Sequence, residues 1–329
     1  MNPKNPNATK PASRRRSLLL GALVIGLFSF AGCQHYDAQV AIHPDGSGRR
    51  TIEFTVDSSR DNTFPLTHEA LGELFHIDSA HGWELTSPEK PAPEASAAGA
   101  TFRRETTFDD FAAWSQADGD LRIQAARQGR PHAAVVFDND LDVRFIESEE
   151  GRICQYREIF SWTGLRQEIA AFMADRFTEQ MEASYPFLSS NELHELRGLI
   201  AGMIMLHLEA AGSPEGEEPD GDLIQAAITA HAEDILRRHV SDLSTAEISE
   251  IVRAAADDPM DLLDTYLAEE LPGAYHAAST ALNIAVTMPG PIIDTNADRI
   301  DGQQVTWELN VWDASAHPVE IFVIAEVAE

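Results

Sequence analysis

Apolar residues alternate with polar or small ones at Tyr36, Ala38, Val40 and Ile42, and again at Ile52, Phe54 and Val56. The same alternation returns near the far end of the chain at Leu282, Ile284, Val286 and Met288, at Val305, Trp307, Leu309 and Val311, and at Val319, Ile321 and Val323. A period of two puts every second side chain on one face of a strand, so both ends of the chain read as strands with a single apolar face. Between them the period changes: Leu165, Ile169, Phe172, Met173, Phe177 and Met181 line one side of a helix. Three terminal strands alone would leave an apolar face and two edges uncovered. The chain is therefore expected to be an α+β protein in which N- and C-terminal strands form one curved antiparallel sheet around an inserted block of about five helices.

Four stretches follow from this: a leader over 1–32, a β-rich part over 33–162, the helical block over 163–275, and closing strands over 276–329. In PDGSG, Asp45 and Gly46 supply turn chemistry between two strands; a phosphate loop would need a helix next, and a strand follows. A short helix is expected over 66–77, a Pro- and Ala-rich loop after it, and a brief helix near 111–114. Strands are expected at Thr101 to Phe108, Leu121 to Ala126, Ala133 to Phe137, Leu141 to Ile146 and Ile153 to Phe160. After the helix that starts at Leu165, others are expected over 191–211 and 222–240. Ser244 with Glu247 forms a capping box, and Asp258 with Pro259 opens a last helix that stops at Leu271, Pro272 and Gly273.

The leader carries Lys4, Lys10, Arg14, Arg15 and Arg16 with no acid, and then an apolar run from Leu18 to Phe30. That run is shorter than the roughly 20 residues of a stable membrane span and has the length of a signal-peptide core. Phe30, Ala31, Gly32 and Cys33 resemble a bacterial lipobox, which implies that the Cys33 thiol takes a lipid and that the chain is cut before it. More than one acyl chain anchors stably where a single chain binds reversibly. Arg15 and Arg16 also resemble the start of a twin-arginine export signal, and plain basic charge explains them equally well. Gln34 is not the Asp that resembles an inner-membrane retention signal, so the periplasmic face of an outer membrane is the expected location in a Gram-negative host.

The chain carries a formal charge of −30, and loss of the leader removes five basic residues and no acidic one. Such a body repels nucleic-acid phosphate and anionic headgroups alike, so no nucleic-acid partner is expected. Besides Cys33 the chain has one cysteine, Cys154, which has no partner for an internal disulfide and reads as a small buried hydrophobe.

The stretch MPGPIIDTNADRIDGQQVTWEL, Met288 to Leu309, together with the N-terminal hairpin, resembles the LppM-like bacterial envelope lipoproteins. The residues that carry the likeness are Cys33, Asp45, Gly46, Pro289, Gly290, Asn296, Gly302, Val305 and Trp307. The resemblance implies an antiparallel sheet packed on helices, in some members around an apolar cavity, with lipid or glycolipid as the proposed ligand. It supplies no catalytic residues.

Asp294, Asn296 and Asp298 alternate as calcium ligands do, but Arg299 and Val305 stand where a calcium loop needs Gly and Glu, so a polar turn is expected. Asp138, Asp140 and Asp142 meet the same objection. His194, His207, His231 and His239 lie on expected helices without a metal-binding spacing, and no metal or cofactor is expected. In GLIAGMIMLHL, Gly198 and Gly202 are expected to permit close helix packing in the core. The functional reading is a non-enzymatic, membrane-tethered envelope lipoprotein enclosing an apolar ligand such as a lipid; the alternative is a scaffold that docks proteins through its helical block.

Overall fold

The computed structural model describes residues 34–56, 66–86, 95–110, 120–132, 134–148, 151–211, scattered positions between 230 and 247, 262–278 and 280–327. The leader, Cys33, the helix expected near 111–114 and most of 222–258 lie outside them.

Two sheets make up the β part. The first contains β1 (Gln34–Ile42), β2 (Gly48–Val56), β3 (Glu84–Leu85), β4 (Thr101–Phe108), β8 (Thr280–Thr287), β10 (Arg299–Asp301) and β11 (Gln304–Asn310), in the order β10-β11-β8-β1-β2-β4-β3. The second contains β5 (Arg122–Gln124), β6 (Val136–Ser148), β7 (Gly151–Thr163), β9 (Ile292–Thr295) and β12 (Val319–Glu326), in the order β5-β6-β7-β12-β9. The α+β class and the joining of N- and C-terminal strands are as expected, but the one sheet expected is two, each joining an early strand to a late one. β1 pairs with β8, Tyr36 opposite Leu282, and this pair is parallel; β7 pairs antiparallel with β12, Tyr156 opposite Val323. The long strands of both sheets carry one buried apolar face, so the two sheets cover each other through a shared core that includes Tyr36, Ile52 and Phe54 from one and Phe137, Tyr156 and Phe160 from the other.

The first turn holds as expected. Gly46 has φ 90°, and the Asp45 carboxylate accepts from Ser47 N at 2.9 Å and Ser47 Oγ at 2.7 Å. In contrast, the two strands expected between 133 and 146 are one, β6. Asp138, Asn139 and Asp140 read as a break because they are turn residues, yet they keep the alternation, with Asn139 inward and Asp140 outward.

Helix α1 (His68–Phe75) is capped by Thr67, whose hydroxyl accepts from Ala70 N at 3.1 Å, and it buries Leu71, Leu74 and Phe75. Helix α2 (Leu165–Ser184) leaves β7 through Gly164, and its apolar face serves two small cores. Leu165, Ile169 and Phe172 pack with Leu263, Leu267 and Leu271, while Phe177 and Met181 pack with Leu196, Ile200 and Ile235. Helix α3 (Ser190–Ala211) begins at Ser189, which exchanges a reciprocal cap with Glu192. The Ser244 and Glu247 box forms as expected, with Ser244 N donating to Glu247 Oε2 at 2.8 Å. Residues 262–270 are helix α4, where Tyr266 stacks on Phe172 with ring centroids 4.0 Å apart. The expected stop at Leu271 occurs, but Pro272 also starts a further helix, α5 (Pro272–Ala277), as its first-turn residue.

His276 on α5 is 8% exposed, and burial pushes its pKa down to about 4. Above pH 6.5 the ring is neutral folded or unfolded. As pH falls below that value the unfolded chain takes up a proton that the folded chain refuses, so stability is lost progressively down to about pH 4, by about 3 kcal/mol in all. Urea denaturation at pH 7 and pH 4 checks this. His276→Leu is expected to flatten the difference by that amount, and an unchanged slope contradicts the assignment.

Candidate functional site

The inward rows of β2 and β7 each contain one fully buried charged residue. Continuing the Ile52, Phe54, Val56 phase backwards places Arg50 inside, and continuing Cys154, Tyr156 and Phe160 places Glu158 inside. Arg50 is 1% exposed and Glu158 is 0% exposed. They meet between the sheets in a forked pair: Arg50 Nη1 donates to Glu158 Oε2 at 3.1 Å and Nη2 to Glu158 Oε1 at 2.8 Å. Asp120 closes the other side of the guanidinium, its Oδ2 lying 2.6 Å from Nε and its Oδ1 3.1 Å from Nη2.

Three neutral side chains complete the cluster. Tyr36 on β1 donates to Asp120 Oδ1 at 3.0 Å, and Tyr156 on β7 donates to Glu158 Oε2. Asn139 on β6 donates to Asp120 Oδ1 at 3.1 Å and to Glu158 Oε1, while its Oδ1 accepts from Leu121 N at 2.9 Å. Burial opposes the Arg50 charge, and the two carboxylates outweigh it, holding its pKa well above the ordinary value. Burial, reinforced by the nearby carboxylates, pushes both tyrosines well above theirs, so they stay protonated donors at neutral pH. The cluster thus links both sheets by directional bonds in a low-dielectric interior, where an unpaired member is costly. Residue identity alone did not single it out; the phase of the alternation is the signal that would have.

A second group sits at the end of α1. Asp78 Oδ1 accepts from His81 N at 3.0 Å and lies 2.8 Å from His81 Nδ1; His81 Nε2 is 3.2 Å from His76 Nδ1. His76 holds the left-handed conformation, φ 53°, that ends the helix. Among the described residues no group of three or more His, Cys, Asp or Glu is arranged to hold a metal ion.

Asn296 is a strut between the sheets: its Oδ1 accepts from Trp307 Nε1 at 3.0 Å and Phe322 N at 2.9 Å, and its Nδ2 donates to Glu320 O at 2.7 Å. Asp298 accepts from Glu308 N at 2.8 Å, so Asn296 and Asp298 lie in the polar connection expected, whereas Asp294 is an exposed residue of β9 that pairs with Ile324. Asp138 accepts from Ser161, and Asp142 pairs with Arg144 at 2.7 Å. Cys154 is buried, and burial pushes its thiol up to about 12, which leaves no nucleophilic thiolate. His194 is exposed; Cys33 and the side chains of His207, His231 and His239 lie outside the described residues.

One expectation is corrected. Gly198 and Gly202 do not mediate close packing, for a Cβ at either would meet nothing within 4 Å among the described residues. They lie on the outward side of α3, whose inward side is Leu196 and Ile200. Further along, Met203, Ile204 and Met205 are half-buried and Leu206 is 65% exposed. No described helix is long and apolar enough to cross a membrane.

No family model matches the chain, and no curated protein matches it. Among solved structures it is similar to the folded domain of LppM from Mycobacterium tuberculosis, determined by NMR, with 12% identity over 91% of this chain and 94% of that one and a TM-score of 0.30. That protein is of the family the two ends of the sequence resemble. At a TM-score of 0.30 the likeness carries no argument about the fold or activity of this chain.

Proposed function

We propose that the protein is a membrane-tethered, non-enzymatic lipoprotein of the cell envelope that takes an apolar ligand of the acyl-chain class on its helical side. The tether rests on the basic head, the short apolar run and the lipobox-like Cys33 in the sequence. The position of the ligand follows from what fills the rest of the fold. Between the sheets, part of the interior is occupied by Arg50, Glu158, Asp120, Asn139 and two tyrosines that bond one another. An acyl chain there would have to displace a buried ion pair.

The observation that carries the reading is α3, where the apolar run continues past its packed half into half-buried Met203, Ile204 and Met205 and exposed Leu206. Flexible thioether side chains adapt to ligands of variable shape, and the tether keeps this surface close to a source of lipid. The test is native mass spectrometry of the full chain, gently extracted from membranes. The expected spectrum carries a non-covalent mass of a fatty acid or phospholipid, reduced at least severalfold by Leu206→Glu. A bare protein in the native spectrum overturns the ligand and leaves protein docking as the better use of the block.

A further inference from the structure

Among the described residues β10 is the outermost strand of the first sheet and pairs only with β11, Arg299 opposite Thr306, Ile300 opposite Val305 and Asp301 opposite Gln304. The two strands are joined by Gly302 and Gln303 alone, with Gly302 at φ 63°, a two-residue hairpin. In such a hairpin the closing pair exchanges both backbone bonds and hydrogen-bonded pairs then alternate. Asp301 and Gln304 therefore bond each other, and Ile300, one step on, turns its own N–H and C=O away from β11 to the open edge. All three residues of β10 are exposed, Ile300 by 55%. Cross-strand partners share a face, so Ile300 continues the inward row of Val305, itself 0% exposed, past the last strand that the core covers.

We infer that this edge is a pairing surface for a second copy of the same chain. The triplet Arg299, Ile300, Asp301 is self-complementary about its centre. If two copies of β10 pair antiparallel on a two-fold axis at Ile300, the outward N–H and C=O of the two Ile300 residues bond each other. Arg299 of each copy then faces Asp301 of the other at non-hydrogen-bonded positions, where Cα atoms are about 4.5 Å apart and opposite charges interact best. The two Ile300 side chains lie together and continue the apolar row of each Val305. A foreign antiparallel strand would need base and acid two residues apart in this same order to match both charges; a second copy has them by symmetry. Each chain is strongly acidic, but at physiological ionic strength repulsion between the bodies is screened beyond about 8 Å, whereas the two contact pairs are not. Three residues form a contact far below the roughly 800 Å² per partner of a stable complex, so the pairing is weak and concentration-dependent.

Cross-linking of the full chain in its native membranes tests this at high local concentration. On the proposed axis the two Ile300 Cα atoms are about 5.5 Å apart, within disulfide reach. Ile300→Cys with a mild copper oxidant is expected to give a dimer on a non-reducing gel, whereas the wild-type chain and Ile293→Cys, an off-axis position 54% exposed, give background. On the Ile300→Cys background, Arg299→Asp or Asp301→Arg alone is expected to reduce the dimer about tenfold, and the two together to restore it. All these positions are exposed, so folding is not at stake, and an unchanged thermal midpoint verifies it. The proposal is overturned by no dimer above background, by single reversals that leave the yield unchanged, or by a double reversal that fails to restore it.

Discussion

Arg50→Met is expected to destabilise the fold by about 3–5 kcal/mol, because it strands Glu158 and Asp120 as buried charges with no counter-ion. Glu158 is 0% exposed and the Asp120 side chain 12% exposed, so neither is well placed to recover hydration. The tyrosines and Asn139 still donate to the carboxylates but cannot neutralise them. Glu158→Gln should cost less, since Arg50 keeps Asp120 as its counter-ion and the amide replaces part of the hydrogen bonding. Combining Arg50→Met with Glu158→Gln should cost less than the sum, the mark of residues that act as a unit. Arg50→Lys is no conservative replacement, because one ammonium cannot span both carboxylates as the fork does. Urea midpoints of the four variants decide this. A loss below about 1 kcal/mol for Arg50→Met would mean that the cluster does not hold the sheets together.

Gly273→Ala is expected to cost at least about 3 kcal/mol, through a collision that cannot relax cheaply. A Cβ at this position would lie 1.9 Å from Gln124 O, 2.9 Å from Gln124 C and 3.1 Å from Ala125 Cα, all backbone atoms. The closeness has a cause: Gly273 N donates to Ala125 O at 2.8 Å, docking the start of α5 on the segment that follows β5. Pushing α5 away breaks that bond and uncovers Leu271, Ala274, Ala125 and Ala126, which are buried together. Gly198→Ala is the internal control. It sits on α3, where a Cβ would meet nothing within 4 Å among the described residues, and in a helix Ala is favoured over Gly by about 1 kcal/mol, so this change should be neutral or stabilising. Equal effects at the two positions would contradict the packing described for α5.

Much of the fold was legible because its signals are local. The hairpin at Asp45 and Gly46, the strand from Thr101 to Phe108 and the boxed helix start at Ser244 depend on turn chemistry, alternation and capping, which neighbouring residues determine. The partition into two sheets was not legible, because β1 meets β8, and β7 meets β12, across more than a hundred residues of chain. Pro272 and Gly273 punctuate a sequence whether they end one helix or begin the next, so α5 was hidden by the stop before it. The candidate site was hidden by a similar ambiguity. Asn139 lies among turn-forming aspartates, Arg50 reads as a surface residue beside Arg49, and Glu158 interrupts an apolar row, so each looks unremarkable until the opposing sheet brings them together. Asn296 is the converse case: the polar turn was recognised, and its role as a strut under Trp307 emerged only from the meeting of β11 and β12.

The place in the envelope depends most on the tether, and the direct measurement is the denatured intact mass of the full chain expressed with its leader in a lipoprotein-processing bacterium. The expected product starts at Cys33 and carries the mass of a diacylglyceryl group, with or without a further acyl chain. A chain whose Cys33 is unmodified, whether cut elsewhere or uncut, would contradict the anchor and with it the proposed place in the envelope.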